Sequence, residues 1–219
     1  MSNPVLSHPI EASPPFSPPA AWVTVAVLLV WFALVVALGA RGAFVTSPGI
    51  PPLPILIGAA TPVVVFLLLF RVSRSFRELV LGADLRLLTA IQAWRFAGFG
   101  FVALYANGIL PGTFAWPAGL GDMAIGLSAP LVALAITRRP AFAASSAFVV
   151  WNLLGILDLV VALGSGALNS GFAGGIPGEV TTGPMATLPL VLVPAYLVPL
   201  FFMLHLTALA QARRLAART

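Results

Sequence analysis

Residues 21–40 read AWVTVAVLLVWFALVVALGA, twenty residues without one charge. A helix rises about 1.5 Å per residue, so this stretch matches the hydrocarbon core of a bilayer, about 30 Å thick. The pattern recurs at about 53–70, 86–109, 117–137, 141–163 and 186–210. Backbone polar groups in lipid must be satisfied within their own segment, and for runs of this length that means helices. Over all 219 residues, 60% are hydrophobic and 8% are charged, against roughly 25% charged in a soluble domain. The expected fold is an all-α integral membrane protein, a six-transmembrane-helix bundle over residues 21–210. The composition excludes a soluble enzyme and a disordered chain.

The net charge of +5 does not indicate a nucleic-acid partner. All eleven basic residues are Arg, and all but Arg95 sit at the ends of the apolar runs or between them. In a six-span chain, Arg71, Arg74, Arg77, Arg86, Arg138, Arg139, Arg213, Arg214 and Arg218 fall on one side and Arg41 on the other. The positive-inside rule then puts both termini in the cytoplasm and makes the chain a multi-pass protein of a bacterial cytoplasmic membrane. The absence of Lys excludes a retinal or pyridoxal Schiff base, and the absence of Cys excludes disulfides, iron–sulfur clusters and thiolate metal sites.

The flanks differ from the spans. Residues 1–20 hold six prolines and read as an extended, disordered tail. Residues 211–219 read as a basic cytoplasmic tail. Between the second and third spans, residues 71–86 place Val72, Phe76, Leu79 and Ala83 on one helical face, with Arg74, Arg77 and Glu78 opposite. That is the pattern of an interfacial helix with Phe76 and Leu79 in lipid. Arg71, Arg74 and Arg77 would meet anionic headgroups.

Candidate functional residues are the polar groups inside the spans, because an ionisable side chain there costs at least about 2.5 kcal/mol and pairs or faces a cavity. Asp122 and Asp158 lie about 7 Å below the outer ends of adjacent spans. Arg95 lies about 9 Å below them, within reach of one carboxylate through its long side chain. One Arg against two Asp leaves a negative charge that a proton, a cation or outside water must offset. Asn107 and Asn152 are the remaining candidates for such a pocket. Both, with Gln92, also read as interhelical hydrogen-bond partners. Gly98, Gly100, Gly121, Gly126 and Gly155 would let helices approach closely. His205, deep in span six and within about 5 Å of Arg95 in depth, is expected neutral. Pro189, Pro194 and Pro199 suggest that span six is bent or broken.

At a few positions the chain resembles the rhomboid proteases, which carry a GxSG nucleophile motif on span four and a catalytic His on span six. Here Gly126-Leu127-Ser128-Ala129 and His205 occupy those spans. The motif departs at Ala129, and no Gly-x-x-x-Gly follows His205. Depth also separates the two residues beyond the roughly 3 Å of a hydrogen bond.

Three functions follow from these residues. The first is a small transporter or a ligand- or proton-binding protein, with a pocket near the outer face lined by Asp122, Asp158 and Arg95. The second is a non-catalytic subunit or assembly factor, in which the same residues lock the bundle or meet other membrane subunits. The remote third is an intramembrane hydrolase using Ser128 and His205. No cofactor and no metal are expected: two carboxylates and one distant His make a poor metal site, and a single intramembrane His cannot hold a bis-His haem.

Overall fold

The computed structural model describes residues 18–172 and 180–217. Within them the chain is helical and contains no strand. Six helical segments are long and apolar enough to cross a membrane: Ala21–Ala40, Leu53–Val72, Leu85–Ala106, Gly112–Arg138, Ser146–Leu168 and Val193–Ala216. Their flanks expose Leu, Val, Ile and Phe side chains, a surface that water would reject and acyl chains match.

The first two segments are the regular helices α1 (Pro18–Ala40) and α2 (Leu53–Val72). Pro62 stands inside α2 without ending it. Residues 71–86 do not form the single interfacial helix expected. α2 runs through Val72, and Ser73 Oγ then accepts from Phe76 N at 3.2 Å to cap a separate α3 (Arg74–Leu81). Asp84 caps α4 (Leu85–Ile91), accepting at Oδ1 from Arg86 N at 2.8 Å. Phe76 stands edge-on to Phe66 of α2 at 5.6 Å and stays half-exposed. Arg77 folds back to donate to the carbonyls of Phe70 and Arg71, and Arg74 pairs with Glu78 at 2.9 Å.

The third segment changes character midway. After α4, residues Gln92–Gly98 tighten into a 3-10 helix before α5 (Phe99–Ala106). Three residues per turn put Thr89, Gln92, Arg95, Gly98 and Phe101 on one stripe, and all five are buried. The long α6 (Gly112–Arg138) lies against this stripe. Glycines permit the approach: a Cβ on Gly126 would overlap the Arg95–Phe96 backbone, and one on Gly119 would stand 3.0 Å from the Gly98 carbonyl.

The fifth segment is α7 (Ser146–Leu168), shifted from the expected 141–163. Pro140–Ala144 forms a 3-10 turn, and Ser145 Oγ caps α7 by accepting from Phe148 N at 3.3 Å. The sixth is broken, as its prolines foretell. Gly183–Ala186 is 3-10, the Leu188–Pro189 bond is cis, and Val193–Leu197 is a π turn. Regular helix resumes only in α8 (Val198–Ala216). Proline supplies no N–H: Pro189 falls in the turn before the helix, and Pro194 and Pro199 stand in the first turns of the π segment and of α8, where a new helical stretch begins.

α8 continues through residues assigned above to a basic tail. The expected Pro-rich tail lies outside the described residues up to residue 17, and from Pro18 the chain is helical. Part of the Gly-rich stretch 164–185 also lies outside them.

Two apolar clusters bracket the bundle. Leu85, Ile136, Ala143, Phe148, Ala208 and Ala212 form one. Phe101, Leu110, Phe114, Ala115, Ala118 and Met185 form the other. Following the third, fourth, fifth and sixth segments from one cluster to the other, each contributes a polar side chain to a layer between them.

An arginine-centred polar layer as the candidate functional site

Arg95 holds the centre of that layer, and its side chain is 0% exposed. The 3-10 turn aims the guanidinium across the bundle, where three elements meet it. From α6, Asp122 Oδ1 accepts from Nε at 2.7 Å. From α7, Asp158 Oδ2 accepts from Nη2, and the Gly155 carbonyl accepts from Nη1 at 3.2 Å. From α8, His205 Nε2 lies 3.0 Å from Nη1.

The protonation of His205 follows from its neighbours. A guanidinium only donates, so Nε2 accepts and carries no hydrogen. Nδ1 therefore bears it and donates to Asn152 Oδ1 at 2.9 Å. The amide orientation of Asn152 is then fixed too, because its Nδ2 donates to the Phe148 carbonyl at 2.9 Å. This set of partners suits a neutral imidazole in the Nδ1–H form.

Glycines make room for these groups. A Cβ on Gly98 would overlap Asp122, one on Gly121 would overlap the Asp158 carboxylate, and one on Gly155 would fall on the His205 ring. Gly100, expected to serve the same purpose, has open space around its Cβ position.

Arg95 thus meets both aspartates, where the depth estimate allowed one. Two features close the gap. A 3-10 turn rises about 2.0 Å per residue against about 1.5 Å for α-helix, and the side chain extends toward α6 and α7. With both carboxylates ionised, the layer would hold one positive and two negative groups beside a neutral imidazole, one net negative charge. Asp122 keeps 15% of its side chain exposed and Asp158 keeps 10%.

The other candidates divide clearly. Asn152 reaches the layer through His205. Asn107 does not join it: it lies exposed at the end of α5 and donates to the Ala103 carbonyl at 2.8 Å. Gln92, one 3-10 turn from Arg95, donates to the Phe201 carbonyl at 3.3 Å, while its buried Oε1 has no partner. Ser128 does not meet His205. Its Oγ donates toward the Ala124 and Ile125 carbonyls and accepts from Trp151 Nε1 at 2.8 Å. Trp151 packs edge-on against His205 at 5.5 Å. With Nε2 occupied by Arg95, the imidazole is not positioned as a base for Ser128.

A cavity of about 110 Å³ descends from the end of the bundle carrying Phe44–Thr46 and Thr182–Ala186 and reaches Asp122. Its wall is mostly apolar, and among the described residues Asp122 is its charged member. A second cavity, about 150 Å³, lies between the third and sixth segments and touches both Arg95 and Asp122. Among the described residues no group of three His, Cys, Asp or Glu is arranged for a metal ion. The guanidinium occupies the point on which Asp122, Asp158 and His205 converge.

The family model described as Domain of unknown function (DUF8737) matches residues 52–213. The chain belongs to that family. The matched region contains the whole Arg95 layer and begins after α1, so Phe44, Val45 and Thr46 at the mouth of the first cavity precede it. No curated protein and no solved structure matches the chain.

Proposed function

We propose that this DUF8737 protein is a multi-pass protein of the bacterial cytoplasmic membrane, with both termini cytoplasmic, that binds a proton or a small cationic ligand. The end of the bundle carrying the 110 Å³ cavity is its outer end, because among the described residues eight arginines lie toward the other side and Arg41 alone lies here. The observation that supports ligand binding is the charge of the layer. One guanidinium serves two carboxylates, the imidazole beside it is neutral, and the cavity reaches Asp122. A dry, uncompensated carboxylate is too costly to persist, so a proton or a cation completes the site. A transporter would use the same site as its loading point.

Infrared difference spectroscopy on the protein in nanodiscs tests this reading. Ethylammonium should change a carboxyl band, and Asp122→Asn should abolish the change. A spectrum indifferent to ethylammonium, to pH and to Asp122→Asn would leave a layer that only locks the helices, as in a non-catalytic subunit. Topology is read separately: a reporter fused after Thr219 should report cytoplasmic, and one inserted near residue 175 should report external.

A further inference from the structure

The two cavities are not independent. Both are lined by Phe101, Asp122, Leu159, Val193 and Val198. They therefore meet at the same carboxylate, one from the outer end of the bundle and one from its flank. The flank opening lies at mid-depth. Trp94, on its rim, is the tenth residue of the 22-residue third segment and is 77% exposed. Gly100, also on this wall, has nothing within 4 Å of its Cβ position. The rest of the wall is formed by side chains such as Leu104, Leu190, Leu197 and Phe201. An exposed, apolar opening at that depth faces acyl chains, not water.

We propose that the site takes an amphiphilic cation: a protonated amine at Asp122, with its hydrocarbon chain leaving between the third and sixth segments into the bilayer. This deepens the pocket reading and rests on it. The charge of the layer selects the head group. The lateral opening selects the tail, and a purely water-soluble ligand would have no use for it. The break in the sixth segment serves the same opening. Regular α8 starts only at Val198, and the π turn at Val193–Leu197 supplies two of the residues that line it, Val193 and Leu197.

The test uses the full chain in phosphatidylcholine nanodiscs, with radiolabelled decylammonium and ethylammonium as probes and protein-free discs subtracted. Gly100→Leu fills the lateral opening from a position with free space, so it should fold as the wild type does. It should weaken decylammonium about tenfold or more and leave ethylammonium unchanged. Asp122→Asn should lose both. If Gly100→Leu binds decylammonium like the wild type, the lateral route is wrong, while retained ethylammonium binding would keep the pocket. If the wild type binds neither amine, the pocket reading fails with it. Saturable binding of decanol equal to that of decylammonium would overturn the assignment of the head group.

Discussion

Arg95 Nη1 stands 3.0 Å from His205 Nε2, and that contact makes the imidazole an acceptor. Imidazole nitrogens in the two tautomers have distinct NMR shifts. With histidine ¹⁵N-labelled, His205 should show the Nδ1–H tautomer at neutral pH. Asn152→Leu should disturb it, because the donor on Nδ1 then loses its acceptor. Fast exchange between tautomers in the wild type would contradict the contact.

Removing the centre of the layer should be worse than removing either end. Arg95→Gln leaves two buried carboxylates facing each other without their shared cation. The expected loss is about 3–5 kcal/mol, the range for breaking one side of a buried ion pair. Asp158→Asn should cost less, since it leaves a balanced Arg95–Asp122 pair. Chemical unfolding in lipid or detergent orders the three proteins. Equal stability of Arg95→Gln and Asp158→Asn would show that the guanidinium is not the organising group.

Glycine substitutions should separate sharply by position. Gly155→Ala puts a methyl group on the His205 ring, and Gly121→Ala puts one on the Asp158 carboxylate. Both neighbours are held in place by Arg95, and overpacking of this kind costs about 1–3 kcal/mol. Gly100→Ala meets nothing and should be neutral or slightly stabilising by about 0.5–1 kcal/mol, the helix preference of Ala over Gly. Thermal unfolding of the three variants checks the contrast.

Ser128→Ala should cost about 1 kcal/mol, the worth of the hydrogen bond it takes from Trp151. Ser128 should also resist a fluorophosphonate probe, because no base is aimed at its hydroxyl. Labelling at Ser128 that depends on His205 would restore the hydrolase reading.

Asp84 ties pH to stability outside the spans. Hydrogen bonding to Arg86 holds its carboxyl below the ordinary value, and the same group caps α4. The folded-state value is depressed, so this stabilisation is present above the unfolded pKa, about 3.9, and is lost as pH falls through the lower folded value. Asp84→Ala should destabilise by about 1 kcal/mol at pH 7. The difference should shrink below about pH 4.

The sequence by itself determined that the chain is an array of six membrane-length helices, and it named most of the polar layer. Both follow from the same physics. Long uncharged runs have only one way to satisfy their backbone in lipid, and a charge inside such a run needs a partner. Arg95, Asp122, Asp158, Asn152 and His205 were therefore visible one at a time. What joins them is a matter of geometry between segments. No local signal announced the 3-10 turn at Gln92–Gly98, which arises where α6 presses its glycines against the chain and which lifts Arg95 to both carboxylates. Depth counted along a straight helix left Arg95 within reach of one aspartate and Asn107 a candidate. Depth carries no azimuth, so it could not tell that Asn107 faces away or that Ser128 and His205 are separated by Trp151. Tertiary structure decided those facts, because a charge–charge contact of about 3 Å depends on rotation, bend and approach of separate helices, and these are set by glycine placement and proline breaks acting together across the bundle.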